Sequence, residues 1–178
     1  YVKGEVKDAE DALKGARDII AEQVSEDEQA RNTVRFAFSR QAVITAKVVK
    51  GKETEADKYR DYFEFSKPLK KCTSHQLLAI RRAEAEGLLK VSISPDDEEC
   101  VERLERRFVR SNNPCGEQVA EAVQDAYKRL LKSSIETEFA AQSKEQADEE
   151  AIRVFVQNLR QLLLASPLGQ KRVMGIDP

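Results

Sequence analysis

Residues 119–131 read Val-Ala-Glu-Ala-Val-Gln-Asp-Ala-Tyr-Lys-Arg-Leu-Leu, and this stretch predicts a long amphipathic helix. Its apolar side chains recur three or four positions apart, the spacing that places them on one helix face. The stretch holds no glycine or proline that would interrupt a helix. The same periodicity returns between Ala147 and Leu162, and a capping box of Ser143 and Gln146 is expected to open that second helix. The back of the chain is therefore predicted to be a pair of long helices.

Helix signals also dominate the front of the chain, ahead of a clear loop over residues 111–114. An apolar stripe between Asp8 and Val24 predicts the first helix. Residues 42–49 are rich in β-branched side chains and fit either a helix or a strand. We favour a helix there, because no turn signal precedes the segment. Residues 88–93 predict a short strand.

These signals predict an all-α fold, a multi-helix bundle of amphipathic helices with at most one or two short strands. We expect a helical region over residues 1–110, a long helical pair over 111–170 and a strand-like ending over 171–178. The 178 residues suffice for one domain or two small ones with a real core. Seven glycines and five prolines are few, which disfavours a turn-rich β-sandwich.

Composition excludes several broad classes of function. The 30 basic and 32 acidic residues balance to a net charge of -2, so the chain is not a globally basic nucleic-acid binder, although a local patch remains open. No apolar run is long enough to span a membrane. Three cysteines without paired spacing favour reduced thiols and a cytoplasmic location. Because Met174 is the only methionine, we expect the chain to be cut from a longer protein.

Catalytic or metal-binding motifs are weak, and we expect no enzyme activity and no cofactor. Cys72 and His75 form Cys-x-x-His, but a zinc site needs about four ligands and no second pair lies nearby in the sequence. A nucleophilic Cys72–His75 pair is a further alternative, although no orienting partner is evident. The acidic run at residues 96–99 is best interpreted as a solvated helix start. The scattered glycines form no phosphate-binding loop.

A basic stretch is the most informative polar feature, since residues 66–83 contain no acidic side chain. Its cations are candidate ligands for the phosphates of RNA or DNA, with no base readout: Lys67, Lys70, Lys71, Arg81 and Arg82. The alternative, a solvated face with intramolecular salt bridges, is the more economical interpretation.

Three further residues are assigned structural roles. Ser74 is expected to cap the helix that follows it, and Gly87 to end that helix in a left-handed conformation. Asn158 lies on an otherwise apolar helical stripe, and we expect its amide to clamp that helix to a loop.

Taken together, several stretches of the chain resemble the Tex family of bacterial transcription accessory proteins. The matching segments are Lys-Tyr-Arg-Asp-Tyr-Phe at 58–63, the run from Thr73 to Leu89, Asp-Ala-Tyr-Lys-Arg-Leu-Leu at 125–131, Asn-Leu-Arg-Gln-Leu-Leu-Leu at 158–164 and Gly-Ile-Asp-Pro at 175–178. The resemblance covers essentially the whole chain. The chain departs from the family pattern at Gln76, where the family often has Arg, at Ala83, where it often has Gly, and at Ser133, which often aligns with Pro. The missing arginine at Gln76 weakens a phosphate-binding role for residues 74–82, and Ser133 in place of proline allows two helices to run together.

The resemblance implies a helical region with helix-turn-helix-like elements that leads into a ribonuclease-H-like domain, whose first strand would begin at residues 171–178 and carry Asp177. It implies a non-catalytic scaffold that positions nucleic-acid-binding domains and meets the transcription machinery. The alternative is a module that itself contacts the nucleic-acid backbone through residues 67–82. Because amphipathic stripes left without a partner expose apolar surface, we also expect self-association of the chain.

Overall fold

The computed structural model describes residues 8–167 and 169–176. Within them the chain forms six helices and three strands, with 3₁₀ turns at Asp57–Tyr62 and Leu69–Lys71 and a π-helical turn at Ala126–Leu131. The elements are α1 Ala9–Glu26, α2 Glu28–Gln41, β1 Val43–Val48, β2 Glu64–Pro68, α3 Ser74–Ala85, β3 Leu89–Ser94, α4 Asp97–Phe108, α5 Pro114–Asp125 and α6 Lys132–Leu163. The mostly helical prediction is confirmed, and the sheet has three strands rather than one or two.

A single residue, Asp27, separates the first two helices. Helix α1 begins where Asp8 Oδ1 accepts a hydrogen bond from the backbone N–H of Asp11 at 2.8 Å. Asp27 does the same for α2, accepting from the N–H of Ala30 at 2.7 Å. Each cap satisfies a backbone donor that has no partner inside the helix. The predicted first helix is confirmed within two residues at its C-terminal end.

Strand β1 is the centre of the sheet, whose order is β2-β1-β3 with antiparallel pairing on both sides. The helix favoured for residues 42–49 is therefore wrong. Its β-branched residues fit a pleated strand, and hydrogen bonds to a neighbouring strand on each side stabilise it. The sequence pattern of this segment alone does not distinguish a strand from a helix. Ile44 and Ala46 are fully buried on one face of β1. The strand predicted over residues 88–93 is confirmed as β3.

The back of the chain is one continuous helical rod rather than two helices. Asn113 caps α5 with Pro114 in its first turn, and the π-helical turn joins α5 to α6 without a break. The capping box expected at Ser143 is wrong, because Ser143 lies inside α6 and its Oγ donates to the carbonyl of Ala140 at 3.1 Å. A serine can bond back to its own helix in this way as readily as it caps a new one.

One hydrophobic cluster runs from Ala21 in α1 to Ala147 in α6. Helix α1 packs on α5 and the π-helical turn, while α2 and α3 pack on α6. Phe38 and Phe139 meet with ring centroids 5.4 Å apart, which joins α2 to α6. The cluster draws residues from both sides of the boundary expected at residue 110, and that division into domains stays a prediction.

The last segment does not continue the fold. Residues 169–176 are exposed, and the described part of the expected final strand, residues 172–176, is not a strand. Asp177 and Pro178 lie outside the described residues, so the start of a ribonuclease-H-like domain stays a prediction. No helix in the described ranges is long and apolar enough to cross a membrane.

Candidate nucleic-acid interface

The start of α3 lies among the lysines of the basic stretch. Thr73, not Ser74, is the N-cap, and it forms a full capping box with Gln76. The predicted cap is therefore off by one residue, because threonine accepts from the third helical N–H as well as serine does. Ser74 is the first helical residue, and its Oγ donates to the carboxylate of Glu150 on α6. Ser74 thereby joins α3 to α6.

The other end of α3 is fixed by Gly87, as predicted. Gly87 has a φ of +69°, and the N–H groups of Gly87 and Leu88 donate to the carbonyls of Glu84 and Ala83. This pair of backbone hydrogen bonds is a Schellman motif, which favours glycine at the left-handed position. The end is further held because Lys58 donates to the Glu86 carboxylate, and this hydrogen bond holds the pKa of Glu86 below its usual value.

The three lysines precede α3 on β2 and on the 3₁₀ turn that follows it. Lys67 is half-buried, and its Nζ donates to Oε1 of Gln76 at 3.1 Å. Lys70 and Lys71 are exposed. In the described part of the chain, none of the three forms a salt bridge. Their charges therefore remain available to an anion near the helix N-terminus, which itself favours negative charge.

The two arginines of α3 differ sharply in environment. Nη1 of Arg81 pairs with Glu84 at 2.7 Å, and the Arg81 side chain is 13% exposed. Its Nε and Nη2 are buried and have no hydrogen-bond partner among the described residues. Arg82 is exposed and forms no salt bridge with a described residue. Arg82 is thus open to a phosphate, whereas the guanidinium of Arg81 is largely committed to the protein.

Two open grooves lie between α3 and α6, and both are lined by Ser74 and Glu150. One, of about 370 Å³, includes Lys70, and the other, of about 660 Å³, includes Arg82. The larger groove is also lined by His75, Leu78, Val154, Phe155 and Asn158. Sequence reasoning missed these grooves, because the spacing within each helix contains no signal for which helix lies beside it.

Asn158 does not form the expected clamp. It is exposed beside α3, and its amide makes no hydrogen bond with a described residue. The expected clamp required a buried Asn158 side chain. The side chain is exposed because this half of α6 extends past the packed core.

Cys72 and His75 do not form a nucleophilic arrangement. Cys72 is half-buried and its Sγ donates to the carbonyl of Thr73 at 3.8 Å, while His75 is exposed. Burial raises the pKa of the Cys72 thiol, although the nearby charge of Lys67 opposes the shift. A raised pKa favours the unreactive thiol over the thiolate. Among the described residues, no cluster of three or more His, Cys, Asp or Glu could hold a metal ion.

Comparison with known proteins identifies the family to which this chain is similar. The model of the family described as "Tex central region-like" matches residues 1–155. The chain is 37% identical to the Transcriptional accessory protein Tex of Neisseria gonorrhoeae over 186 residues, and 35% identical to Protein tex of Bordetella pertussis over 188 residues. These alignments cover 100% and 97% of the chain.

A more distant relative is the human S1 RNA-binding domain-containing protein 1, which is 28% identical over 194 residues. The chain spans 24% of the length of the two bacterial relatives and 20% of the human one. A family model that matches residues 1–155, together with similarity to two Tex proteins over nearly the whole of this chain, shows that the chain belongs to the Tex central region-like family.

Proposed function

We propose that this chain is a non-catalytic helical scaffold of a transcription accessory protein, and that it positions nucleic-acid-binding parts of the polypeptide in the cytoplasm. The observation that carries the proposal is the continuous helical rod of residues 114–163, about 75 Å long at a rise of about 1.5 Å per residue. Its first part is packed against α1, α2 and α3, and its second part projects from the core.

Such a rod acts as a spacer because a hydrogen-bonded helix bends sharply only at a proline, an inserted group or a π-helical turn. The π-helical turn of this rod, Ala126–Leu131, is packed against α1. The ion pair of Arg35 on α2 with Glu138 on α6, at 3.0 Å, supports its orientation relative to the front of the chain. The hydrogen bond from the N–H of Ile93 to Glu136 at 2.7 Å ties the same rod to the sheet.

The scaffold is tested in a chimera in which this chain replaces the matching quarter of the gonococcal Tex protein. Ala141 is an exposed residue inside α6, and Ala141→Pro would kink the rod. We expect this substitution to abolish the chimera's support of transcription in a cell lacking the native protein. A folded Cys72→Ala, His75→Ala double variant should keep that support, and its loss would instead indicate catalysis.

A second candidate function, contact with a nucleic-acid backbone, is favoured by the cations that precede α3 and by one in its last turn. Lys67, Lys70, Lys71 and Arg82 have no salt-bridge partner among the described residues. Arg81 contributes less, because Glu84 already pairs with it. Contacts of this kind give affinity that is independent of sequence and falls as salt rises.

Fluorescence anisotropy with single-stranded RNA and duplex DNA tests this second function. Neutralising Lys67, Lys70, Lys71 and Arg82 to Gln should abolish binding and its salt dependence. The matched control neutralises four exposed lysines elsewhere, Lys14, Lys50, Lys90 and Lys128, and should bind like the unmodified chain. An equal loss of nucleic-acid affinity in the two variants would refute an interface at these four residues. If the unmodified chain does not bind nucleic acid even at low salt, contact between this chain and a nucleic-acid backbone is refuted.

A further inference from the structure

The smaller of the two grooves beside α3, of about 370 Å³, is lined by α2, by the chain leading into α3 and by α6. We call it the Lys70 groove, after the lysine at its rim. Its volume lies within the range of about 300–1,000 Å³ that is typical of small-molecule sites. Such sites combine an apolar lining with a few polar groups that fix the orientation of the ligand. The residues of the Lys70 groove divide into the same two kinds.

The apolar lining of the Lys70 groove includes an aromatic ring from α6. Phe139 is half-buried and lines the groove together with Leu69 and Leu77. The buried ring of Phe38 packs against the ring of Phe139 and helps to hold it in place. A rigid aromatic ring binds the face of another planar ring, and proteins hold unpaired nucleobases in this way. This lining therefore favours a planar aromatic ligand.

Two glutamine side chains that line the same groove have amides available to a ligand. Gln142 and Gln146 are exposed on α6, and neither amide forms a hydrogen bond with a described residue. They are four positions apart, so they lie on one side of the helix, about 6 Å apart along its axis. An amide offers a donor and an acceptor together, and the edge of adenine presents the matching acceptor and donor. The two amides are therefore suited to the edge of a base.

The two charged residues of the groove have opposite signs. Lys70 is exposed and forms no salt bridge with a described residue, so its ammonium group can bind a phosphate. Glu150 lies one turn beyond Gln146, and its carboxylate accepts a hydrogen bond from Ser74. The carboxylate has further lone pairs, which can accept hydrogen bonds from the hydroxyl groups of a ribose. The groove thus offers a partner for the phosphate, the sugar and the base of a nucleotide.

We propose that the Lys70 groove binds a single ribonucleotide, free or within an unpaired strand, with adenine as the preferred base. Lys70 binds the phosphate, and Glu150 accepts hydrogen bonds from the ribose. Gln142 and Gln146 bind the edge of the base, whose face contacts Phe139. A base inside a duplex does not fit, because its edge is paired and its faces are stacked. The proposal goes beyond the two functions above and requires neither of them.

Isothermal titration calorimetry of the 178-residue chain with adenosine 5′-monophosphate tests the site. We expect saturable binding, which the double variant Gln142→Ala, Gln146→Ala weakens by about tenfold or more. The matched control is Gln157→Ala, Gln161→Ala, which removes two exposed glutamines with the same spacing on the same helix, outside the groove. The control should bind like the unmodified chain. Equal affinities of the two double variants would overturn the proposal.

The role of Lys70 is tested by combining a change in the protein with a change in the ligand. Adenosine, which lacks the phosphate, should bind the unmodified chain more weakly than the monophosphate does. In Lys70→Gln this difference should disappear, because the partner of the phosphate has been removed. A difference that persists in Lys70→Gln would place the phosphate elsewhere and refute the proposed arrangement.

Fluorescence anisotropy with a short single-stranded oligoadenylate RNA distinguishes the two sources of the nucleotide. Binding of the monophosphate alone identifies the free nucleotide as the ligand. Binding of the strand that Gln142→Ala, Gln146→Ala weakens identifies a nucleotide within an unpaired strand. A strand that the two double variants bind equally contacts the cations alone, which supports the backbone interface and refutes the nucleotide site. If neither ligand binds the unmodified chain, the proposal is refuted.

Discussion

Replacing Tyr127 by Phe removes one hydroxyl from a fully buried side chain at the junction of the helical rod with α4. The Tyr127 hydroxyl donates to Oδ1 of Asp97 at 2.6 Å. Burial and the hydrogen bond to Asp97 raise the pKa of Tyr127, so the phenol stays protonated and acts as the donor. Lys132 and Ser94 also donate to Asp97, at 2.5 and 3.0 Å.

The expected loss of stability depends on the lost hydrogen bond and on the partners that Asp97 keeps. A hydrogen bond to a charged acceptor contributes about 1.5–3 kcal/mol, and Tyr127→Phe opens almost no cavity. Asp97 keeps two donors and its side chain is 47% exposed, so water replaces part of the lost bond. We therefore expect the free energy of unfolding to fall by about 1.5 kcal/mol, or roughly 3–6 °C in Tm for a chain of this size.

Low pH should remove the difference in stability between the unmodified chain and Tyr127→Phe. Burial raises the pKa of Asp97, but the hydrogen bonds from Lys132, Tyr127 and Ser94 outweigh it and hold the pKa below the usual value of 3.8. A depressed carboxyl pKa contributes stability that is present above the unfolded pKa and is lost as pH falls through the folded one. The Tyr127→Phe difference should therefore be constant near neutrality and shrink below about pH 4.

Thermal and urea unfolding followed by circular dichroism measure both effects. Tyr62→Phe is the control: Tyr62 is half-buried and its hydroxyl makes no hydrogen bond with a described residue, so its loss should stay within about 0.5 kcal/mol. Equal losses for the two variants, or a Tyr127→Phe loss that is unchanged in acid, would refute the role assigned to Asp97.

Four substitutions elsewhere test the local backbone geometry by the same unfolding measurement. Gly116→Ala should lower the free energy of unfolding by about 1–3 kcal/mol, because the new Cβ would lie 1.9 Å from a backbone carbonyl oxygen. Gly15→Ala, where the new Cβ meets open space, should raise it by about 0.4–1 kcal/mol. The reverse order of the two variants would contradict the backbone geometry at the start of α5. Gly87→Ala should cost about 1–2 kcal/mol at its φ of +69°, and no cost would contradict the left-handed end of α3. Asp27→Ala should lower the free energy of unfolding by about 1 kcal/mol. The hydrogen bond from the N–H of Ala30 lowers the pKa of Asp27, so this loss of stability should disappear in acid, where the carboxylate is protonated. A loss that does not depend on pH would contradict the role of Asp27 as the cap.

Several elements were predictable because their signals are local. The stripe of α1, the strand at residues 88–93 and the glycine end of α3 each depend on neighbours within one or two turns of the chain. The two errors have different origins. Ala42–Val49 was assigned to a helix although it is a central strand, and Ser143 was assigned to a cap although it lies inside α6. For residues 43–48 the deciding interactions are the ladders to β2 and β3, which come from distant parts of the chain. For Ser143 the signal is local but ambiguous, because a serine can bond back to its own helix as readily as it caps a new one.

The candidate interface shows the same division. The sequence identified the cations between Lys67 and Arg82, and their charges need no fold to be recognised. It could not separate Arg81, which is 13% exposed and paired with Glu84, from its exposed neighbour Arg82. It also contained no sign of the grooves between α3 and α6, since these form only when two helices distant in sequence pack together.

By itself, the sequence determined the helical class, the two ends of α3 within one position, the charge balance and the resemblance to a family, because each depends on residue identity and short-range spacing. Tertiary structure alone decided that residues 43–48 form the centre of a sheet, that residues 114–163 form one rod, and that this rod leaves the core after Ala147. The physical reason is that an apolar stripe specifies that a face will be buried, but the partner that buries it depends on contacts between residues far apart in the chain.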